Sequence, residues 1–562
     1  MTTIDTRATS ATTDGPATAG ATGVARPDTT GVARLDTVAA WLTSTDHKRI
    51  GRLFIGSSLA AMLAATATGI VLGIERTYAD REVFDTAAMP QLFAGFRVGL
   101  VFGVGIPLLV GLTVAIVPLQ LGSRSLAFPR VAQTGFWAWA IGLVLVVVAL
   151  ANNGGPGGGN ADMVDLFLAA HGLLVVGLTM ATATVAATVL TSRAPGMTMR
   201  RLPVFSWSAL VASIMLVLSL PVLLGVLIYL FVDHRNDRVA FGGHTGIGPW
   251  TAFAFTQPAT YLMAIPALGL AAELIAVTFR RRLAVRGVLF IGLGLVGVAG
   301  LAAVTQQQLF LVRWRGSGLS LDEFGSTFKD LVPWALFLGL PLLGALVVLA
   351  TGAFTAKGAR PRLVGPFLFA FLGVGMILTG MVGALAYPIS DLGLVGTVFE
   401  EGSFIYVVYG SVLAGLGGVA YWAPKWWGRT LPNKALLGLA GLGFIATVLA
   451  SLPYYVAGFA DQPAGAVDFD YSGPVKLWNV AVLAGHTLMF VTVAAFAGLA
   501  VKTFTGDGES SVDDPWEAHT LEWATSSPAP VQNFADVHTV ASPEPLLDLR
   551  AGPGDPETEH RP

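Results

Sequence analysis

The sequence predicts an all-α polytopic membrane protein whose helices cross the bilayer twelve times. Three observations carry this expectation. Of 562 residues, 54% are hydrophobic and 12% are charged, about half the charged share of an ordinary soluble chain. Mean hydropathy is +0.68. From Arg52 onward the apolar residues fall in runs of about 20 or more, each long enough to cross a ~30 Å hydrocarbon layer as a helix. The alternation expected of a membrane barrel is absent. A backbone in lipid must satisfy its own hydrogen bonds, so the runs are helices.

The twelve runs lie at residues 53–74, 94–118, 134–152, 165–190, 205–232, 250–278, 288–310, 332–353, 364–387, 403–422, 435–456 and 478–501. Pro107, Pro221, Pro266 and Pro341 fall inside them, harsh positions in a soluble helix that packed membrane helices tolerate. Residues 1–40 are rich in Thr, Ala, Gly and Asp without an apolar period, and are expected to be a disordered cytoplasmic tail. They lack the apolar core of a cleaved signal peptide. Residues 41–503 form the twelve-helix membrane domain, and 504–562, polar and Pro-rich, an extended cytoplasmic tail lying on it. Loops on the N-terminal side carry 18 Lys and Arg, among them Arg280, Arg281, Arg282 and Arg286; the opposite loops carry eight, Arg76 included. The positive-inside rule then puts both termini in the cytoplasm and the chain in the plasma membrane as a multi-pass protein.

A formal net charge of −2 excludes a nucleic-acid partner held by a basic surface. With no cysteine, disulfides, iron–sulfur clusters and thiolate metal sites are excluded too. A metal would need His, carboxylate or amide ligands, and there are eight His in all.

Several stretches resemble one family. Ser44-Thr45-Asp46-His47-Lys48-Arg49-Ile50-Gly51 precedes the first run, and Ala127-Phe128-Pro129-Arg130 follows the second. Arg193-Ala194-Pro195-Gly196-Met197-Thr198-Met199 leads into Leu202-Pro203-Val204-Phe205-Ser206-Trp207. Tyr421-Trp422-Ala423-Pro424-Lys425 closes the tenth run, and Asp514-Pro515-Trp516-Glu517-Ala518-His519 opens a tail that continues to Pro528. In order and spacing they are similar to subunit I of cytochrome c oxidase, in the heme–copper oxidase superfamily, over about residues 40 to 535. The resemblance implies the twelve-transmembrane-helix subunit I bundle. It also implies a low-spin heme, a high-spin heme and a copper ion, and a place in the respiratory chain. The family activity is oxygen reduction with electron transport and proton translocation, and six imidazoles hold its metals.

At the aligned positions those imidazoles are replaced. The low-spin heme ligand of the second run aligns with Phe96, and the two ligands of the tenth run with Gly402 and Phe404. The copper motif of the sixth run reads Gln257-Pro258-Ala259-Thr260-Tyr261, with Ala259 at the family's proton-gating glutamate. The His pair closing the seventh run reads Gln307-Gln308. Ser125 stands where a proton-channel acid belongs, and Gly458-Phe459-Ala460-Asp461-Gln462-Pro463 lacks the arginine pair that would hold heme propionates.

The resulting expectations are no catalytic residue, no heme, no copper and no other cofactor. The chain is expected to be a catalytically inactive pseudoenzyme acting as a scaffold or assembly partner. Its partners are membrane lipids and oxidase subunit II- or III-like chains. Two alternatives stay open: an active terminal oxidase with unrecognised ligands, and a transporter reusing the cofactor cavity. Structural roles fall to Arg97 with Glu400 or Glu401 as a salt bridge between the second and tenth runs. Gln257, Gln307 and Gln308, joined by Tyr261, are expected to form an amide cluster. His171, His486, His47 and His519 are expected to be packing residues, His171 hydrogen-bonded.

Overall fold

The computed structural model describes residues 39–78, 83–307, 321–467, 469, 474–506, 510–536 and 539–551. Residues 1–44 form one unit, of which 39–42 are helical, and 45–562 form the other. The expected N-terminal tail thus falls almost wholly outside the described residues.

Among the described residues, twelve helices are long and apolar enough to cross a membrane. They are α1 (His47–Thr77), α2 (Met89–Gln120), α3 (Pro129–Ala151), α4 (Ala161–Thr191), α5 (Val204–Arg235) and α6 (Tyr261–Phe279). They continue as α7 (Arg286–Val304), α8 (Phe328–Ala356), α9 (Gly365–Ala386), α10 (Phe399–Trp427), α11 (Asn433–Phe459) and α12 (Val475–Thr505). We call the end where α1 begins the near end and the other the far end. The chain is a multi-pass membrane protein built as a helical bundle; besides helices and turns, the described residues hold one isolated β-bridge, Thr397 to Pro463.

The hydrophobic stretches of α2 and α10 are wholly buried and that of α6 nearly so, whereas the other nine leave roughly half or more exposed. Three helices therefore form the centre and nine ring it. Around the ring α3 packs on α4, α4 on α5, α11 on α12, and α12 closes onto α1.

Most helices differ from the expected runs by a few residues at their ends, the seventh stopping at Val304 rather than 310, and two differences bear on the site. The sixth run starts at 250 in the sequence reading, but α6 starts at Tyr261, after a separate short helix over Gly243–Thr251. Pro258 has no N–H to give, so it opens the turn before α6 rather than sitting within a continuous helix. In the first run the helix continues past residue 74 to Thr77, which brings Arg76 inside it. Pro107 and Pro341 are each preceded by a π-helical turn, Gly99–Gly105 and Ala335–Gly339. The wider turn accommodates the proline's missing donor and the carbonyl its ring would strike.

Contact between α9 and α10 depends on small residues. A Cβ on Gly373 would lie 2.5 Å from the Gly410 carbonyl oxygen, and one on Gly410 would lie 2.7 Å from that of Gly373. The two backbones touch directly, as glycine permits in membrane bundles.

Candidate functional site

Two arginines and two glutamates of the spans meet at the far end of the centre. Glu400 and Glu401 occupy the first turn of α10, where carboxylates also complement the helix dipole. Arg97 of α2 reaches Glu400 with both terminal nitrogens; Nη1 donates to Oε1 at 3.3 Å, and Nη2 makes the closer contact to Oε2. The same guanidinium donates to the Phe255 carbonyl at 3.4 Å and stands 4.9 Å over the Phe404 ring.

Glu401 belongs to a different arginine. Arg76, near the end of α1, grips it with two hydrogen bonds of 2.8 and 2.9 Å. Arg76 also donates to the Tyr454 hydroxyl at 2.5 Å and the Ala466 carbonyl at 3.0 Å, and Glu401 accepts from the Gly465 amide at 2.9 Å. The adjacent glutamates thus split, one to α2 and one to α1, and α11 and the loop after it join the second. Sequence reasoning placed Arg76 in a loop because the first run was ended two residues too early. The available signal was an arginine two residues past an apolar run, with two adjacent glutamates at the start of the tenth.

Phe96, Arg97 and Phe404 border a cavity of about 460 Å³. Gly402 does not: a Cβ there would meet the Ser451 carbonyl, the Tyr455 ring and the Tyr454 Cβ, so this position faces α11. The three positions expected to share one iron therefore do not converge, and none offers a donor atom. The imidazoles nearby are engaged otherwise. His486 of α12 packs edge-on against Phe96, with ring centroids 5.5 Å apart, and its Nδ1 lies 2.8 Å from the Tyr409 hydroxyl. His171 of α4 is enclosed by Phe102, Phe167 and Phe255, and neither ring nitrogen has a hydrogen-bond partner. The hydrogen bond expected for His171 is not made; three phenyl rings pack around the imidazole instead.

The glutamine cluster is also not formed among the described residues. Gln257 Oε1 accepts from the Thr260 hydroxyl at 2.9 Å, and its Nε2 has no partner. Tyr261 is fully buried at the start of α6 with its hydroxyl unpartnered. Gln257 sits in an irregular stretch before α6 and turns to its own chain three residues on. Gln307 follows the end of α7, and Gln308 lies outside the described residues. Among the described residues no group of three or more His, Asp or Glu could hold a metal ion. The donor set at these positions does not fit the hemes and copper of the family.

At the near end the resemblance-bearing residues hold the C-terminal segment to the bundle. His47 Nδ1 lies 3.1 Å from the Val114 carbonyl, and its Nε2 lies 2.9 Å from Asn533 Nδ2. That pair of contacts fits the tautomer with the proton on Nδ1. Asn533 also accepts from Lys48 Nζ at 3.0 Å and donates to the Ser123 carbonyl at 2.8 Å. Lys425 Nζ donates to the Asp513 and Thr525 carbonyls at 3.0 and 2.7 Å. Gln120 Nε2 bridges two buried carboxylates, Glu273 at 2.7 Å and Glu522 at 3.1 Å. Burial raises the Glu522 pKa above the usual carboxylate range. His519, buried near Arg550 and Arg282, is pushed down to about 4. Sequence reasoning missed this role for Asn533 and Glu522 because their partners lie hundreds of residues away.

A family model described as Cytochrome C and Quinol oxidase polypeptide I matches residues 49–498. A Streptomyces avermitilis protein bearing the name cytochrome c oxidase subunit 1-beta is 30% identical over 543 residues, covering 91% of this chain and 92% of that one. Cytochrome c oxidase subunit 1 of Corynebacterium diphtheriae is 29% identical over 541 residues, 91% of this chain and 92% of its own. A Bradyrhizobium diazoefficiens protein named as a cytochrome c oxidase subunit 1 is 28% identical over 555 residues, 92% of this chain and 80% of its own. These matches overturn the expectation that the chain takes no cofactor. The relatives span nine tenths of it, and together with the family model they assign it to a group whose members carry heme and copper.

Proposed function

The chain belongs to the cytochrome c and quinol oxidase polypeptide I family, and on that premise we propose that it works as a membrane scaffold or assembly partner in an oxidase-type complex rather than as the oxygen-reducing centre. The observation that carries this reading is the pair of ion pairs at the far end. Arg97 with Glu400 and Arg76 with Glu401 join α1, α2 and α10. Ligands from α2 and α10 bracket an iron there in the family. In this reading Arg97, Glu400 and Glu401 are structural, and charge attraction in a weakly polar setting does the bridging. The near end supplies the second half of the argument: its interfacial signatures are intact and occupied in holding the tail.

The partners in this reading are membrane lipids and chains like oxidase subunits II and III. In this reading the near end, with both termini, faces the cytoplasm across the plasma membrane, and the basic near-end loops support that orientation. A transporter reading gains less support, because the intramembrane charges at the far end are spent on each other. The test is affinity isolation of the tagged chain in a mild detergent, with subunit composition and oxygen consumption measured together. Other oxidase subunits should be recovered at a fixed ratio, and Arg97→Ala with Glu400→Ala should lower that ratio. Recovery of the chain alone, or oxygen consumption that scales with the amount of this chain, would overturn the proposal.

A further inference from the structure

Two near-end loops carry positive charge that the chain itself does not use up. Arg280, Arg281 and Arg282 follow the end of α6 at Phe279, and Lys357, Arg360 and Arg362 lie between α8 and α9. The loops are tied side by side. The Arg362 amide donates to the Thr278 carbonyl at 3.0 Å, and the Ala284 amide donates to the Thr355 hydroxyl at 3.1 Å. Cations gathered in this way repel one another unless anions answer them.

The C-terminal segment answers two of them. Glu517 pairs with Arg280 at 2.9 Å, and Asp548 pairs with Arg282. Asp514 of the same segment is taken by Arg550. Arg281, Lys357, Arg360 and Arg362 are exposed, and among the described residues none of them makes an ion pair. Each stands within four residues of the end of a span, the level at which lipid headgroups lie. On the same loops and at the end of α8, the apolar Val285, Leu363 and Phe354 are more than half exposed. A soluble anion would meet the charge and leave these three in water, whereas an acyl chain would cover them.

We propose that the α6–α7 and α8–α9 loops together form a docking surface for an anionic phospholipid. Arg281, Lys357, Arg360 and Arg362 hold its phosphate headgroup, and its acyl chains lie against Val285, Phe354 and Leu363. The tail acids fix the neighbouring arginines and leave these four to the lipid. The surface rests on the proposed function only for lipid as a partner; the chain alone tests it, so either reading can fail without the other.

The test uses the purified full chain in a neutral detergent, with dioleoylphosphatidylglycerol and dioleoylphosphatidylcholine as probes and bound lipid read by native mass spectrometry. Wild type should bind the phosphatidylglycerol more tightly. Each Lys or Arg at an anionic headgroup is worth about fivefold in affinity. Arg281→Gln with Arg360→Gln should therefore weaken phosphatidylglycerol binding about 25-fold and leave phosphatidylcholine binding unchanged. Lys357→Gln with Arg362→Gln, which keeps the backbone bond to Thr278, gives the same reading should the first pair fail to fold. Arg124→Gln with Arg130→Gln removes equal charge from another near-end loop and should change little. The proposal is overturned by equal binding of the two lipids to wild type. It is also overturned by an equal loss in the Arg124 and Arg130 variant, which would mean diffuse charge rather than a site. Displacement of the lipid by an equal concentration of glycerol 3-phosphate would overturn it too, because the surface would then take a soluble anion.

Discussion

The two ends of the central helices solve the same problem in opposite ways. Each places charged and polar side chains deep in a hydrophobic bundle, where an unpaired group is costly. At the far end the answer lies mostly within the spans, with Arg97 on Glu400 and Arg76 on Glu401. At the near end it is borrowed from outside, as Asn533, Glu522 and the backbone of residues 513–531 come down onto His47, Lys48, Gln120 and Lys425. The difference explains why the motifs shared with the family lie at the near end. A side chain that must meet a distant tail is constrained by two surfaces at once. The far-end pairs need only each other, so the pairs can be exchanged as units.

Breaking the far end should have the largest effect. Arg76 is 1% exposed, and Arg76→Met leaves Glu401 buried without its partner, a loss of about 3–5 kcal/mol. It should show as a strongly lowered unfolding temperature in detergent. Adding Glu401→Leu should recover much of the loss, since a hydrophobic replacement of both partners is often neutral. A double variant as unstable as the single would show that the arginine works through Tyr454 and Ala466 instead.

The near end should respond to pH, and in two directions. His519 is held neutral by burial, so its stabilising contribution is present above the ordinary value of 6.5 and drains as pH falls from there toward about 4. That loss is on the order of 2–3 kcal/mol when complete. Glu522 runs the other way, because burial raises its pKa. Its contribution is full below the usual carboxylate range and is lost as pH rises through the raised value. Tail docking, followed by tryptophan fluorescence from Trp516 and Trp523, should therefore weaken at both extremes. His519→Phe should remove the acid limb alone.

Asn533→Ala should sharpen the comparison further. It deletes hydrogen bonds to His47, Lys48 and Ser123 together, about 2 kcal/mol in all. Limited proteolysis should then cut the tail near residue 533 faster while leaving the spans intact. Smallest is Arg97→Ala. The Arg97 side chain is 28% exposed, so solvent screens its pair, and about 1 kcal/mol is expected from the same thermal measurement. A loss as large as that of Arg76→Met would place the two pairs on an equal footing.

The bundle was legible because a membrane helix must be apolar over its whole length, and twelve such runs stand out without any alignment. Its edges were less legible. Apolar character does not separate the Gly243–Thr251 helix from α6; the proline at 258 does. Nor does it show that α1 carries Arg76 past its apolar stretch. In the site, complementary charge suggested a partner for Arg97, whereas the division of Glu400 from Glu401 depends on which face of α10 each occupies. Gln257 turns to Thr260 rather than to another glutamine, because a shared residue type says nothing about distance. His171 failed in another sense: an apolar sequence context gives no hint whether a hydrogen-bond acceptor approaches from a neighbouring helix.

The mutual backbone contact of Gly373 and Gly410 has a mechanical consequence. With the two backbones this close, a rotation of α10 that brought a larger side chain against α9 would meet a carbonyl. The central helix is therefore a fixed post, and its far-end glutamates hold constant positions. Any change in the volume beside Phe404 must come from side-chain rotation or from the loops. Replacing either glycine by a larger residue would displace the post as a whole and disturb both ends of the molecule at once.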